Sequence, residues 1–401
     1  MSTAVFPIGV TYGPANVQAE YTKAISAHFN VTSPTFSPTV TSSSVNAMLA
    51  LASSNSMNAA VWDTNFMTTI RGPISSTAVN TAVDTLYSNY GSKTATKYWV
   101  IVDEPGKTNF DNIQTAATRL KSKNSSKSRY VNLFSSIASC NQLAGTPEGT
   151  PCLYTYPAYV SQFLSTATNV NLVTFDHYPF LADGTTQINP WFTSLETIRT
   201  QVKNAGRQYG AIIQGSQYSD HRNPNLSESY WQAMTALAYG SKIINWFSWT
   251  GFSDPNGVTG IGFGSSTTDL DQISEVNDLM QDYGKFLIKG TSEAIWHVDA
   301  GRPPGTSGRP AVDPVTVNNT NVPIYVGRFS TPGKPGKLIL VGNRSFSAST
   351  TVAMTICPIS STGYLWYRFL ETWVKQTGSA GECVTVSLGF APGRAALLYA
   401  E

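Results

Sequence analysis

The chain has 401 residues, which is long for one ordinary domain and fits one large domain with a smaller one. Hydrophobic residues make up 41% of it, enough to bury a core, so the composition excludes intrinsic disorder; charged residues are only 12%, and Ser, Thr and Asn supply the polarity instead. A net charge of +2 without any run of Lys or Arg excludes nucleic-acid and anionic-membrane partners, and no apolar stretch is long enough to cross a bilayer.

The first three quarters of the chain alternate apolar runs of strand length with segments of helical period. The predicted strands are Val5–Thr11, Asn30–Phe36, Asn58–Asp63, Tyr98–Asp103, Arg129–Phe134, Asn171–Asp176, Gly210–Gln214 and Lys242–Phe247. The predicted helices are Asn16–His28, Ser44–Ser53, Ser76–Tyr90, Asp111–Leu120, Ala158–Ser165, Trp191–Ala205, Glu228–Tyr239 and Ser274–Phe286.

Eight strands that are each followed by a helix predict a (β/α)8 TIM barrel, because right-handed crossovers place each strand beside the previous one. The alternative is a doubly wound open sheet. That fold would require a Gly-rich phosphate-binding turn after the first strand, and Gly9-Val-Thr-Tyr-Gly13 is not such a turn.

The alternation of predicted strands and helices ends after the eighth helix. The Gly- and Pro-rich stretch Ala300–Pro310 fits neither a helix nor a central strand. Short alternating runs follow it at Ile324–Phe329, Leu338–Val341, Thr351–Ile356, Leu365–Phe369, Val384–Leu388 and Ala395–Tyr399. We therefore predict two domains, a catalytic barrel at 1–292 and a small antiparallel β-sandwich at 293–401.

The four cysteines form two local pairs. Pairing Cys140 with Cys152 and Cys357 with Cys383 would give two disulfides, whereas the alternative is four free buried thiols. The absence of a CxxC motif argues against zinc or redox use. Together with the neutral, hydroxyl-rich composition, the predicted disulfides indicate a secreted or extracellular protein.

Barrel active sites lie at the C-terminal ends of the strands, and four carboxylates fall there. Glu104 follows the apolar run of the fourth strand and is the candidate general acid, because an apolar surrounding and the adjacent charge of Asp103 would both raise its proton affinity. Neighbouring strand residues point to opposite faces, so both can line one pocket only where the strand bulges or ends. Asp176 is the candidate second carboxylate, and a hydrogen-bonding role is its alternative.

The same strand ends carry further candidates. Carboxylates beside aromatic rings suit sugar chemistry, since rings stack on the apolar faces of pyranoses. The candidate substrate-binding residues are Tyr12, Asp63, His177, Tyr178, Gln214, Gln217, Tyr218, Trp246 and Trp249, each of which has a purely structural role as its alternative. The four histidines are dispersed and form no HExxH motif, so we expect no metal and no cofactor.

Three stretches carry a family resemblance: Trp99–Gly106, Thr174–Phe180 and Tyr230–Trp249. With the appended sandwich, the chain resembles (β/α)8 glycoside hydrolases of the broad clan A type, which implies cleavage of a glycosidic bond by carboxylates. Those enzymes carry Asn-Glu after strand 4 and a nucleophilic Glu after strand 7. Here strand 4 ends in Asp103-Glu104, and strand 7 offers only Gln214 and Gln217.

These departures leave three mechanisms open. An Asp-Glu pair after strand 4 resembles families that use substrate assistance, in which Asp holds a 2-acetamido group and Glu protonates the leaving oxygen. Inversion with Asp176 as base requires about 6.5–9.5 Å between the carboxyl groups, and retention with Asp176 as nucleophile about 5–5.5 Å.

The sequence thus predicts a monomeric glycoside hydrolase acting on an oligo- or polysaccharide. One alternative is a non-catalytic carbohydrate-binding protein on a hydrolase-like barrel, favoured by the missing strand-7 Glu. Another is a surface protein whose barrel is purely structural, because fold alone does not decide chemistry.

Overall fold

The computed structural model describes residues 4–35, 40–253, 259–299, 301–358, 363–369, 372–376 and 379–401. The predicted strand end at Phe36 and the predicted loop start at Ala300 lie outside these ranges. The chain divides into two compact units. One comprises Pro7–Asn223 and Ile243–Ser274, and the other comprises the described residues up to Phe6, Pro224–Lys242 and Glu275–Glu401. The predicted domain division at 292/293 stays a prediction.

The first unit contains a closed barrel of eight parallel strands, which confirms the predicted fold class. The strands are β1 Ile8–Val10, β2 Val31–Thr32, β3 Asn58–Val61, β4 Thr96–Asp103, β5 Ser128–Leu133, β6 Leu172–His177, β7 Gln208–Gln214 and β8 Ile244–Phe247. Each strand pairs with its successor, and β8 closes the ring by pairing with β1. All eight predicted strands are present with altered ends.

Helices alternate with these strands. They are α1 Gln18–Ser26, α2 Ser42–Ser54, α3 Thr64–Arg71, α4 Ser76–Tyr90, α5 Phe110–Lys123, α6 Cys140–Ala144, α7 Tyr156–Thr166, α8 Ile188–Asn204, α9 Leu226–Tyr239 and α10 Thr267–Leu287. Several helices begin after a residue whose side chain accepts a hydrogen bond from a backbone N–H of the first turn, as is typical of Ser, Thr, Asp and Asn at this position. These capping residues are Thr41, Asp63, Ser75, Ser139, Thr155 and Asn225. The short helices α3 and α6 were not predicted.

A small antiparallel sheet belongs to the same unit. Thr259–Ile261 pairs with Phe252–Ser253 on one side and with Gln217–Tyr218 on the other. The sheet therefore joins the loops that follow β7 and β8. No helix in the described part of the chain is long and apolar enough to cross a membrane.

The second unit contains α9, α10 from Glu275 onward, and two antiparallel sheets that form the predicted sandwich. The strands are β9 Thr291–His297, β10 Val315–Val317, β11 Ile324–Ser330, β12 Lys337–Asn343, β13 Thr350–Ile356, β14 Leu365–Phe369, β15 Thr372–Lys375, β16 Val384–Phe390 and β17 Ala395–Ala400. The larger sheet has the order β9-β11-β12-β17-β14-β15, and the smaller has the order β10-β13-β16. Apolar side chains from both sheets share one core.

Both predicted disulfides are present. Cys140 is bonded to Cys152 in the first unit, and Cys357 is bonded to Cys383 in the second. The alternative of four free thiols is therefore wrong.

Candidate active site

The barrel holds a cavity of about 390 Å³ at the C-terminal ends of its strands. Three carboxylates meet there: Asp103 and Glu104 at the end of β4, and Asp176 in β6. The remaining lining residues are mostly aromatic or polar, namely Thr11, Tyr12, Trp62, Asn132, Phe134, Ser135, Ile137, Ala138, Gln142, His177, Tyr178, Ile212, Tyr218, His221, Phe247 and Phe252. The cavity therefore combines acidic groups with aromatic walls.

The backbone explains how Asp103, the last residue of β4, and the next residue Glu104 both reach the cavity. The pairing of β4 with β5 shifts register between Val100 and Val102, and the strand ends at Asp103. Glu104 then adopts a left-handed backbone with φ of 43°, which turns its side chain out of strand alternation. Its N–H donates a hydrogen bond of 2.8 Å to the carbonyl of Asn132 in β5. The bulge and the strand end that the sequence required are both present.

Asn132 links the other two carboxylates. Its Nδ2 donates to Asp103 Oδ1 and to Asp176 Oδ1, each at 2.9 Å. A side-chain amide has two N–H bonds, so one amide group can donate to both carboxylates at once. Through its backbone and its side chain together, Asn132 contacts all three acidic residues.

A hydrogen-bonded row inside the barrel fixes the orientation of this amide. Thr174 Oγ1 donates to Asn132 Oδ1 at 2.7 Å, so the amide nitrogen faces the carboxylates. Thr174 Oγ1 also lies 2.9 Å from the hydroxyl of Tyr130, which accepts a 3.2 Å hydrogen bond from Asn245 Nδ2. Polar groups from β5, β6 and β8 thus support the site from below.

Crowding and burial raise the proton affinity of the cluster. Burial, followed by the charges of Asp176 and Asp103, holds the pKa of Glu104 well above its usual range, and Arg71 opposes this only partly. Burial and then Asp103 raise the pKa of Asp176 to about 7, against hydrogen bonds from Asn132 and Tyr178. The carboxyl groups of Glu104 and Asp176 are also hydrogen-bonded to each other. The surroundings of Glu104 therefore favour the protonated form of its carboxyl group.

Arg71 contacts the backbone of Asp103. Its guanidinium donates to the Asp103 backbone carbonyl, and its charge opposes the burial that raises the pKa of the Asp103 carboxyl. The hydrogen bond from Asn132 opposes that rise as well. Asp103 therefore has two groups that favour its ionised form, whereas Glu104 has two neighbouring carboxyl groups that favour its proton.

Phe247 is the centre of the aromatic wall. The ring centroids of Tyr12, Tyr178 and Tyr218 lie 5.4, 5.0 and 5.2 Å from that of Phe247. Phe252 is 5.2 Å away on the same wall. Through these contacts the rings form one aromatic wall of the cavity.

The structure brings seven of the predicted site residues to the cavity: Tyr12, Asp103, Glu104, Asp176, His177, Tyr178 and Tyr218. His177 is nearly fully buried, and burial lowers its pKa to about 3, so its ring is neutral. It packs edge-on against Trp191 with 5.9 Å between ring centroids. These contacts fit a structural imidazole rather than a base.

The other five predicted residues are not among the lining residues. Asp63 caps α3 through the N–H of Phe66 and accepts a 2.8 Å hydrogen bond from the Tyr90 hydroxyl. Trp246 is fully buried, and Trp249 is buried with its Nε1 donating to Glu20 at 2.9 Å.

The two glutamines after the seventh strand also lie outside the cavity lining. Gln214 is fully buried and hydrogen-bonds the backbone N–H and carbonyl of Phe180, each at 3.0 Å. Gln217 is exposed in the small sheet. The side chain of Gln214 therefore holds the backbone of the loop after β6 and does not line the cavity.

Several lining residues were not among the predicted site residues, namely Trp62, Asn132, His221, Phe247 and Phe252. His221 lies beside the aromatic wall, with its ring stacked on Tyr218 at 4.4 Å between centroids and its Nδ1 2.8 Å from Asp220 Oδ1. Trp62 and Phe247 sit at strand ends that the sequence did single out, one residue from the positions chosen. Among the described residues, no group of three His, Cys, Asp or Glu side chains is arranged to hold a metal ion.

Comparisons with known proteins place the fold. No family model and no curated protein matches the chain. Solved structures do: a family 5 glycoside hydrolase from Bacteroides vulgatus matches with a TM-score of 0.59 and 11% identity over 98% of this chain and 89% of that one. A structure described as a glycoside hydrolase matches with a TM-score of 0.58 and 11% identity over 99% and 92%.

Eubacterium rectale Amy13B gives a third match, with a TM-score of 0.55 and 8% identity over 99% of this chain and 95% of that one. At such identities the likeness concerns the fold. The resemblance to (β/α)8 glycoside hydrolases with a C-terminal β-sandwich is confirmed at that level.

Proposed function

We propose that the protein is a glycoside hydrolase that cleaves an oligo- or polysaccharide, with Glu104 as its general acid. The observation that carries the proposal is the convergence of Asp103, Glu104 and Asp176 in one aromatic-walled cavity at the C-terminal ends of the barrel strands. A glycosidic oxygen must be protonated as it leaves, and burial and the neighbouring carboxyl groups raise the pKa of Glu104, which favours the protonated form that a general acid needs. The aromatic wall supplies surfaces for pyranose rings.

The contact between Glu104 and Asp176 favours one of the three mechanisms. Their carboxyl groups share a hydrogen bond, whereas a nucleophile and its acid stand about 5–5.5 Å apart and an inverting pair stands further apart. Asp176 is therefore better placed to keep Glu104 protonated than to attack the anomeric carbon. Substrate assistance needs no protein nucleophile and fits this arrangement.

In that mechanism the carbonyl oxygen of the substrate's 2-acetamido group attacks the anomeric carbon as Glu104 transfers its proton to the leaving oxygen. Asp103 or Asp176 accepts a hydrogen bond from the acetamido N–H and stabilises the cyclic intermediate. Water then opens the intermediate and returns a proton to Glu104. Inhibition by a thiazoline that mimics the cyclic intermediate supports this route, and an active enzyme that the thiazoline does not inhibit contradicts it.

The experiment compares wild type, Glu104→Gln and Glu382→Gln on a panel of glucans, galactans, mannans and amino-sugar polymers. Loss of a general acid lowers kcat by about 10²–10⁴-fold, which we expect for Glu104→Gln. Glu382 is exposed and belongs to the other unit, so Glu382→Gln should retain wild-type activity. Full activity of Glu104→Gln on a substrate that the wild type cleaves would remove Glu104 from the acid role.

Non-catalytic carbohydrate binding is the second candidate. The observation in its favour is that no carboxylate from β7 or from the loop after it is among the described lining residues, whereas the clan A enzymes that the chain resembles carry a nucleophilic Glu after strand 7. Tight binding of a glycan without turnover, equal in wild type and Glu104→Gln, would support it over hydrolysis.

We also propose that the protein acts outside the cell as a monomer. The two disulfides support an oxidising compartment. Sedimentation velocity on the purified protein tests the monomer.

A further inference from the structure

The sandwich unit contains a second cavity, of about 420 Å³, that the proposed reaction does not use. Four aromatic rings line it, from α10, β14, β15 and β17: Phe286, Trp366, Trp373 and Tyr399. Each of these side chains is partly exposed. Partly exposed rings gathered around a hollow offer apolar surface that a ligand can cover.

Strand register shows that this surface is separate from the core of the sandwich. Tyr399 pairs directly with Leu338 on one side and with Trp366 on the other, so the three side chains stand in a row on one face of the larger sheet. Their neighbours Tyr367 and Leu398 point to the opposite face and pack in the core. The row is therefore not needed to fill the sandwich.

Three of the rings have a structural contact as well. The hydroxyl of Tyr399 accepts a 3.2 Å hydrogen bond from the N–H of Gly336. The Arg368 guanidinium, which is ion-paired with Asp282, lies 5.2 Å from the Phe286 ring centroid and 5.8 Å from that of Trp373. Those two rings cover the ion pair. Trp366 and Tyr399 make no such contact with it and are the rings that a ligand would cover first.

The lining of the hollow contains more basic than acidic residues. Three lysines line it, namely Lys285, Lys289 and Lys334, and Glu401 is the one acidic residue among the described lining residues. Lys285 pairs with Asp282, whereas Lys289 and Lys334 are exposed and form no ion pair with any described residue. The cavity thus presents a ring platform with two unpaired ammonium groups, which complements a flat apolar face bearing negative charge.

We propose that this cavity is a second carbohydrate site that binds a chain of acidic pyranoses, with Trp366 and Tyr399 stacking on the sugar rings and Lys289 and Lys334 contacting their carboxylate or sulfate groups. The choice of a sugar as occupant rests on the proposed function, and the choice of an acidic one rests on the lysines. Such a site would hold a polymer near the enzyme between cleavage events.

The test measures binding by titration calorimetry, which requires no turnover. The probes are a hyaluronan hexasaccharide, which is anionic, and chitohexaose, which is neutral and shares its N-acetylglucosamine units. We expect the anionic probe to bind the wild type. The double variant Trp366→Ala/Tyr399→Ala should bind it about fivefold or more weakly, because both stacking rings are lost. Tyr87→Ala, at a partly exposed ring that lines neither cavity, is the matched control and should bind as the wild type does.

The charges are tested by Lys289→Gln/Lys334→Gln, which alters only exposed side chains and leaves folding intact. We expect affinity to fall about fivefold at low salt, and the salt dependence of binding to shrink, because exposed charges act through screened Coulomb attraction. Unchanged affinity in both double variants would overturn the site, and tighter binding of chitohexaose than of the anionic probe would overturn its acidic specificity. If no glycoside is hydrolysed but the ring variants lose binding, the proposed function fails and this site stands.

Discussion

Replacing Asn132 by Leu tests how the carboxylate cluster is controlled. The substitution keeps the volume of this buried side chain and removes the amide that donates to Asp103 and Asp176 at 2.9 Å each. A hydrogen bond to a charged group contributes about 1.5–3 kcal/mol, which corresponds to a pKa change of about one to two units. Both of these hydrogen bonds lower the pKa of the carboxyl that accepts them, so their loss raises it.

The assay is the pH dependence of kcat/KM on the best substrate found. If activity requires Glu104 protonated and Asp176 ionised, the acidic limb reports the ionisation of the cluster. We expect this limb to move to higher pH by about one unit in Asn132→Leu, because Asp176 then keeps its proton longer. A fall in kcat/KM by one factor at every pH, with the limb unmoved, would refute the reasoning and assign Asn132 a merely structural role.

Asn343→Leu is the matched control. Asn343 is also fully buried, and its Nδ2 donates only to backbone carbonyls, those of Ala348 and Ala391. We expect Asn343→Leu to lower the free energy of unfolding, by about 1–3 kcal/mol, without any movement of the pH profile.

Three further predictions concern stability. Because the folded pKa of Asp176 is raised to about 7, the native state binds more protons than the unfolded state between about pH 4 and pH 7, and stability is lost as the pH rises through that window. Asp176→Asn should therefore raise Tm at about pH 8 by a few degrees and have less effect at about pH 5; an equal change at both pH values would contradict this. Arg368→Met breaks a buried ion pair and should lower the free energy of unfolding by about 3 kcal/mol in a denaturant titration. Lys337→Gln breaks a more exposed ion pair and should lower it by less than about 1 kcal/mol. Equal losses in the two variants would contradict the expected effect of burial. Replacing Cys140 and Cys152 together by Ser should lower the free energy of unfolding by about 3 kcal/mol, because the unfolded chain gains loop entropy. The double variant should also have a higher KM, since the segment next to Cys140 lines the cavity. An unchanged KM would show that the disulfide does not support the site.

The barrel was predictable because its strands are apolar runs of the correct length and order. Their ends were less so, and proline accounts for two of the differences. Pro7 precedes β1 and Pro34 follows β2 closely, and neither can donate to the strand ladder. The predicted strands at Val5–Thr11 and Asn30–Phe36 accordingly shrink to Ile8–Val10 and Val31–Thr32.

The site was predicted in its acidic part and missed in much of its aromatic part. A parallel strand is buried on both faces, so its sequence does not show which of two consecutive residues faces the cavity. Asp63 and Trp246 are the predicted site residues at two of the strand ends, whereas the residues that line the cavity there are the adjacent Trp62 and Phe247. Asn132 gave no signal of its own, because its importance comes from partners on two neighbouring strands.

The left-handed backbone at Glu104 places chemistry and stability in opposition. A non-glycine residue in this conformation costs about 1–3 kcal/mol, and glycine adopts it freely. Directed evolution that selects only for heat resistance would thus enrich glycine at this position and remove the proposed general acid. A selection for higher stability should therefore measure catalytic activity as well as heat resistance in every round.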